Sequence, residues 1–241
     1  MKDYKYLLFD LDDTLIENQE SYKYAFQVVC DYLKIPYSDK LFKEFYEFEK
    51  NFWHHYENNM LHIPLKYNKN SELIADYLRR QRFVLFFAND FSEQEAKIVN
   101  DIFLDNITKV VVPIKGVFET LEYLANKYHL VIASNGPKEA LNVKLEKINC
   151  LNFFEKCFSA DMTKNVASKP NKEFFYELKQ YINFYNNNEM LMIGDSLTTD
   201  IKGAMNSNID SCWINRFNEE LPNSYEPTMV VKTIKTLKKK L

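Results

Sequence analysis

The chain has 241 residues, 46% of them hydrophobic, and a formal net charge of −3 from 31 Lys and Arg against 34 Asp and Glu, which bounds it as a globular protein of one large or two modest domains. Disorder is excluded, and there is no basic excess to neutralise a phosphate backbone, so nucleic-acid binding is disfavoured as the main task. No run approaches the roughly 18–20 apolar residues of a membrane span, and the first residues, MKDYKYLLFDLDD, put carboxylates where a signal peptide would need an apolar stretch; the expectation is a cytoplasmic protein with no membrane partner.

Residues 4–10 (YKYLLFD) form an apolar run of strand length that ends on an acidic cluster, DLDDT. From about residue 18 to 110 the period becomes helical. Tyr22, Ala25, Phe26, Val29 and Leu33 share one face, as do Leu41, Phe45, Phe48, Phe52 and Tyr56, and residues 72–88 and 93–104 continue the pattern. From about 113 helices and strands alternate. Val117, Leu121 and Leu124 mark a helix, HLVIAS (129–134) a strand, Leu141, Leu145 and Ile148 a helix, CFSA (157–160) a strand, and Phe174, Leu178 and Tyr181 a helix. MLMIG (190–194), SCWIN (211–215) and TMVV (228–231) add three strands.

This alternation predicts an α/β fold with a doubly wound, mostly parallel sheet. A crossover unit takes about 30 residues, yet nearly 120 separate the first strand from the second. The helical stretch is therefore read as an insertion: a core of 1–16 and 111–241, and an all-helical domain of 17–110 placed after strand 1, at the sheet edge where open α/β sheets bind ligands. The tail KTIKTLKKKL reads as a final helix with a solvated basic face.

Cys30, Cys150, Cys157 and Cys212 stand far apart with no CxxC pair and are expected as buried free thiols. Average usage near 7% would place about 17 glycines in this length, but there are only four, Gly116, Gly136, Gly194 and Gly203. Each is expected where the backbone needs a positive φ or another group must come close. The abundant Asn and Lys are read as genome composition without functional weight.

The chemistry-bearing residues cluster at predicted strand ends. Asp10 and Asp12 are two apart at the end of a strand, so their carboxylates point to the same side. One can attack while the other handles a proton, and together they suit a hard divalent cation; the ordinary alternative is acidic capping. Ser134, Asn135, Gly136 and Pro137 form a helix start whose N–H groups can cradle a phosphate, or only a turn. Lys169, placed at a helix amino terminus against the macrodipole, implies a nearby anion unless it is a solvated surface lysine. Asp195 directly follows a buried strand and suits a metal ligand, Ser196, Thr198 or Thr199 can cap the next helix, and Asp200 can orient a metal-bound water or Lys169.

DLDDTL (10–15), SNG (134–136), SKP (168–170) and GDSLTTD (194–200) resemble the four ordered motifs of the haloacid dehalogenase-like hydrolase superfamily, and the helical insertion resembles its small helical cap. In wording, GDSLTTDIKGAMNSNIDSCWIN and SNGPKEALNVKLEKINCLNFF are most similar to the pyrimidine 5'-nucleotidase group. Asn165 and Asn208 depart from the pattern, standing where relatives usually carry glycine.

The resemblance implies a phosphatase acting on a small phosphorylated metabolite. Asp10 would attack a phosphate monoester and become an aspartyl-phosphate, and Asp12 would protonate the leaving alkoxide and then deprotonate water. Mg2+ would be held by the Asp10 carboxylate, the Asp12 carbonyl and Asp195. Ser134, the N–H groups near Asn135 and Gly136, and Lys169 would hold the phosphoryl oxygens, with Thr14 steadying the loop and Asp200 behind. The resemblance to nucleotidases makes a pyrimidine nucleoside 5'-monophosphate the expected substrate, with sugar phosphates, phosphoglycolate, a phosphomutase or a phosphate-binding regulator as alternatives. Dehalogenases of the superfamily do not use the second acid, so Asp12 favours phosphoryl transfer. Phe42, Phe45, Tyr46, Phe48, Phe52, Trp53, His54, His55 and Tyr56 are read mainly as the insertion's core, with one or two left to face a substrate; adjacent His54 and His55 point about 100° apart on a helix and do not share a metal. Sequence leaves monomer and dimer open.

Overall fold

The structure is a computed structural model describing residues 2–57, 63–67, 71–88, 90–163 and 167–241; the side chains of 54–57, 71–73 and 75 are not among those described. The strands are Tyr6–Phe9 (β1), His129–Ser134 (β2), Lys156–Ser159 (β3), Met190–Gly194 (β4), Asp210–Ile214 (β5) and Met229–Val231 (β6). They pair in parallel in one sheet ordered β3-β2-β1-β4-β5-β6. This is the expected doubly wound sheet. β1 is the reason it closes into a core: Leu7, Leu8 and Phe9 are all fully buried, as a strand covered on both faces must be, and each contributes roughly 1.5–3 kcal/mol of apolar burial.

Four helices form a compact unit over Asn18–Val112: Asn18–Leu33 (α1), Asp39–Glu57 (α2), Ser71–Phe87 (α3) and Glu93–Asn106 (α4). The other unit comprises Met1–Glu17, Pro113–Thr163 and Ala167–Leu241. It carries Val117–Ala125 (α5), Lys138–Lys147 (α6), Lys172–Ile182 (α7) and the short Lys202–Asn206 (α8). Within the helical unit Phe26 stacks on Phe45 at 4.3 Å between ring centroids and Phe45 on Phe83 at 5.7 Å. Phe42, Phe45 and Phe52 are buried and Tyr46, Phe48 and Trp53 half-buried, so the core reading holds for the first three. The side chains of His54, His55 and Tyr56, and residue Asn165, lie outside the described residues.

One expectation needs correction. The tail is a 3-10 turn over Ile234–Lys239, with Ile234 and Leu237 buried, because two apolar residues three apart suffice to pin one side of a tighter turn. Asparagine carries structural weight: Asn149, Asn183, Asn208 and Asn218 adopt left-handed φ values of 56°, 55°, 53° and 54°. Asn tolerates this region better than other side-chain-bearing residues, which accounts for part of the scarcity of glycine and for Asn208 standing at a glycine position. Of the glycines, Gly116 takes φ +91° immediately before α5. Cys30, Cys150 and Cys212 are buried free thiols, and Cys157 is half-buried.

Candidate active site

β1 and β4 are neighbours at the point where strand order reverses, which makes their carboxyl ends the crevice of the sheet. Asp10 continues β1 by one residue, its N–H donating to Ile193 O at 2.9 Å. The chain then turns at once: the N–H groups of Leu15 and Ile16 both donate to Leu11 O, and Asp13, at φ 60°, donates to Ile16 O at 2.8 Å. This turn presents Asp10 and Asp12 from a backbone that cannot slide. Thr14 ties it to the next acidic loop, its hydroxyl donating to Asp195 Oδ1 at 3.0 Å and accepting from the Asp195 N–H at 3.1 Å. Trp213, buried in β5, donates its ring N–H to Asp195 O at 2.7 Å.

Lys169 is the centre of this arrangement. Its side chain is 1% exposed, and Nζ donates to Asp10 Oδ1 at 2.7 Å and to Asp200 Oδ1 at 2.6 Å. The solvated-lysine alternative is thereby excluded and the nearby anions are Asp10 and Asp200, while its place at the start of a helix is corrected, since α7 begins three residues later, at Lys172. Asn135 fixes the lysine's backbone in both directions, accepting from Lys169 N–H at 2.8 Å and donating to Lys169 O at 2.9 Å. Ser134, 1% exposed, accepts from the Gly136 N–H at 3.0 Å, and Pro137 stands at the N-cap rather than the first helical position. Asp200 Oδ2 accepts from Ser196 N–H at 3.1 Å, and Ser196 Oγ accepts from Thr199 N–H at 3.3 Å, capping a π-turn over Leu197–Ile201 that leads into α8.

Gly194 explains why β4 ends as it does. A Cβ there would lie 2.0 Å from Asp200 Oδ2 and 2.3 Å from its Cγ, and Asp200 is too short and too fully bonded to withdraw. Gly194→Ala is therefore expected to destabilise the protein by about 1–3 kcal/mol through overpacking, read as a lowered denaturation midpoint, and a midpoint equal to that of the wild type contradicts the close approach. Gly203 is a second such position, a Cβ there lying 2.5 Å from Phe175 Cε2.

The electrostatics reveal a shortage of positive charge. Burial pushes the Asp10 carboxyl up, against the pull of Lys169 and with the help of Asp200 and Asp12, to about 7. Asp195 is raised well above the usual carboxylate range by burial, then by Asp200 and Asp10. Burial would pull the Lys169 ammonium down, but the two carboxylates overcome it and hold its proton more firmly than usual. Among the described residues Asp10, Asp195 and Asp200 stand together with one ammonium group, that of Lys169, between Asp10 and Asp200, an excess of negative charge that a divalent cation would offset. Carboxylate oxygens of Asp10, Asp195 and Asp200 lie within 4.8 Å of one another. Asp200 spends both oxygens on Lys169 and Ser196, which leaves Asp10 and Asp195 as the carboxylates fitted to a hard cation.

Asp12 is not in that cluster. Its Oδ1 accepts from Lys144 Nζ at 2.7 Å, which leaves Oδ2 and the backbone carbonyl of this residue. Lys144 itself is a residue that sequence reasoning missed. It falls in α6 among the residues KEALNVKLEK and reads as one more surface lysine, although its position three after Leu141 places it on the buried face.

Known proteins are similar to this chain over most of its length. The Bacillus subtilis (strain 168) HAD-hydrolase YfnB is 25% identical over 215 residues, covering 89% of this chain and 86% of its own. Its magnesium-bound crystal structure superposes with a TM-score of 0.83 at 24% identity, covering 98% and 97% of the two chains. Pyrimidine 5'-nucleotidase YjjG of Escherichia coli (strain K12) is 24% identical over 98% of this chain and 97% of its own. Pyrimidine 5'-nucleotidase PynA of Streptococcus pneumoniae (strain ATCC BAA-255 / R6) is 26% identical over 95% and 91%. Among the described residues no helix is long and apolar enough to cross a membrane. The haloacid dehalogenase-like hydrolase model matches residues 7–214, from within β1 to the end of β5, and the chain belongs to the haloacid dehalogenase-like hydrolase family.

Proposed function

We propose that the protein is a Mg2+-dependent phosphatase that hydrolyses a small phosphate monoester through an aspartyl-phosphate on Asp10, with a pyrimidine nucleoside 5'-monophosphate as the substrate that fits best. The observation that carries this reading is the buried Asp10–Lys169–Asp200 chain opposite Asp195, with a second carboxylate, Asp12, on the same loop. A nucleophile aimed at a dianion needs positive charge gathered around it, and a leaving alkoxide needs a proton. Support for the nucleotide comes from YjjG and PynA, both pyrimidine 5'-nucleotidases matched over most of this chain.

In this mechanism Asp10 attacks phosphorus as the bond to the leaving oxygen breaks. Asp12 gives that oxygen a proton, then takes one from the water that hydrolyses the acyl phosphate, returning both residues to their starting states. Ser134, the turn at Asn135 and Gly136, and Lys169 hold the phosphoryl oxygens. The Asp10 carboxylate, the Asp12 carbonyl and the Asp195 carboxylate would hold Mg2+, which when bound neutralises negative charge on the phosphoryl group. Thr14 keeps the two acidic loops in register, and Asp200 keeps Lys169 aimed at Asp10.

The test is Mg2+-dependent phosphate release across nucleoside monophosphates, sugar phosphates and phosphoglycolate. Preference for pyrimidine monophosphates supports the reading; preference for a sugar phosphate or phosphoglycolate retains the mechanism and discards the substrate; no release from any of them discards both.

Metal binding should also be visible without turnover. In the metal-free protein Asp10 keeps its proton up to about pH 7, whereas in the unfolded chain it ionises near its ordinary 3.8. A carboxyl raised in this way makes the native state lose stability as pH climbs between those values, and the loss is complete above 7. Mg2+ at about 100 times its Kd stabilises by about 2.7 kcal/mol, or about 5–10 °C in Tm for a chain of this size. That rise is expected at pH 8 and should shrink at pH 5, where protons compete for Asp10. An equal Mg2+ response at both pH values contradicts the assignment.

A further inference from the structure

Lys144 is buried in α6 beside Ala140, Leu141 and Leu145, and its side chain is 3% exposed. A lysine is seldom fully buried without a partner that compensates its charge. One partner of Lys144 is Asp12, 132 residues away in sequence, whose Oδ1 lies 2.7 Å from Nζ. The other oxygen of Asp12 is left beside the SNG turn: a Cβ on Gly136 would lie 3.5 Å from Asp12 Oδ2 and 3.3 Å from Ser134 Oγ. The absent side chain of Gly136 therefore keeps open the space next to Oδ2, between the first acidic loop and the turn assigned to phosphate.

Asp12 is thus held at two levels. The backbone turn around Asp13 fixes its Cα, and Lys144 fixes one carboxylate oxygen and with it the plane of the group. A short carboxylate on a turn, 26% exposed at its side chain, would otherwise sample several rotamers. Proton transfer requires the donor oxygen within hydrogen-bond reach of the leaving oxygen, and misplacement by about 1 Å can cost about a hundredfold in rate.

We propose that Lys144 is a positioning residue for the general acid: it anchors Asp12 Oδ1 so that Oδ2 faces the leaving-group oxygen. This rests on the phosphatase reading and on Asp12 as the acid of that mechanism. In the step concerned, the phosphorus–oxygen bond breaks toward the leaving oxygen, and the proton on Asp12 Oδ2 goes to that oxygen. Lys144 keeps its own proton throughout and contacts no substrate.

The test compares kcat/KM, which reports the half-reaction up to departure of the alcohol, for two leaving groups. A nucleoside monophosphate leaves as an alkoxide and needs the proton; p-nitrophenyl phosphate leaves as a stable phenolate and does not. Lys144→Met is expected to lower kcat/KM for the nucleotide about 100-fold, within the range general acid catalysis contributes, and for p-nitrophenyl phosphate less than about tenfold. Lys144→Arg, which keeps a buried donor and charge, should recover most of the loss. In an Asp12→Asn background the Lys144→Met change should have little further effect, since the two residues act as a unit. Lys144→Gln provides the same comparison if the Met variant does not fold.

Equal losses for both leaving groups, or an undiminished loss in the Asp12→Asn background, would overturn the positioning role while leaving the phosphatase standing. If Asp12→Asn itself shows no leaving-group signature, the acid assignment fails and Lys144 falls with it. If the wild-type protein releases no phosphate from either substrate, the phosphatase reading is what has failed, and the proposal is overturned through it.

Discussion

Asp10→Asn is expected to reduce phosphate release by about 10⁴-fold or more, the scale on which removal of a covalent nucleophile acts, and yet to leave the metal-free protein more stable at pH 8 than the wild type. The two effects have one source. Asp10 is 8% exposed and bonded to Lys169, but burial and the neighbouring Asp200 and Asp12 outweigh that partner and push its carboxyl to about 7. At pH 8 the wild-type native state therefore carries an ionised group that its surroundings disfavour, and asparagine, of the same shape, removes the charge. At pH 5 the native wild-type Asp10 keeps its proton and only the lower part of the window above 3.8 has been crossed, so the stability difference should narrow. The measurements are phosphate release and metal-free thermal melts at both pH values. Residual turnover within about tenfold of wild type would sink the covalent mechanism, and a variant that melts lower at pH 8 would contradict the charge argument.

Lys169→Met is the substitution with the largest expected structural effect. The methionine chain fills most of the lysine's space, but Asp10 and Asp200 lose the ammonium that bridges them at 2.7 and 2.6 Å, in a site where both carboxylates are buried. Breaking a buried pair by deleting one partner costs about 3–5 kcal/mol, which for this length lowers Tm by about 6–20 °C. Acid should soften the effect, because protonation of Asp10 removes part of the uncompensated charge. The check is denaturant unfolding at pH 5 and pH 8. A loss below about 1 kcal/mol at pH 8 would mean that Lys169 is not what holds the two carboxylates together.

Much of this was legible in the amino-acid sequence. The run YLLF before an acidic cluster, and its repetition in MLMIG before Asp195, identify buried parallel strands and place Asp10 and Asp195 at their ends, because a strand covered on both faces is apolar throughout and its first polar residue marks its exit. The order of the motifs then puts every candidate group on one edge of the sheet. Gly194 was equally readable as a close approach, since a chain this sparing of glycine keeps it where a Cβ has no room.

What sequence could not decide is which of these charges meet. Lys169 and Asp200 are 31 residues apart and Lys144 and Asp12 are 132 apart. Only the folding of separate crossovers onto the same sheet edge determines that one lysine is sandwiched between Asp10 and Asp200, and that the other withdraws the Asp12 side chain from the acidic cluster. Lys144 shows the physical reason most plainly. Local pattern records that a residue lies on a helix face, but the energy of burying an ammonium depends on a carboxylate supplied by a distant strand end, and that distance exists only in the folded protein.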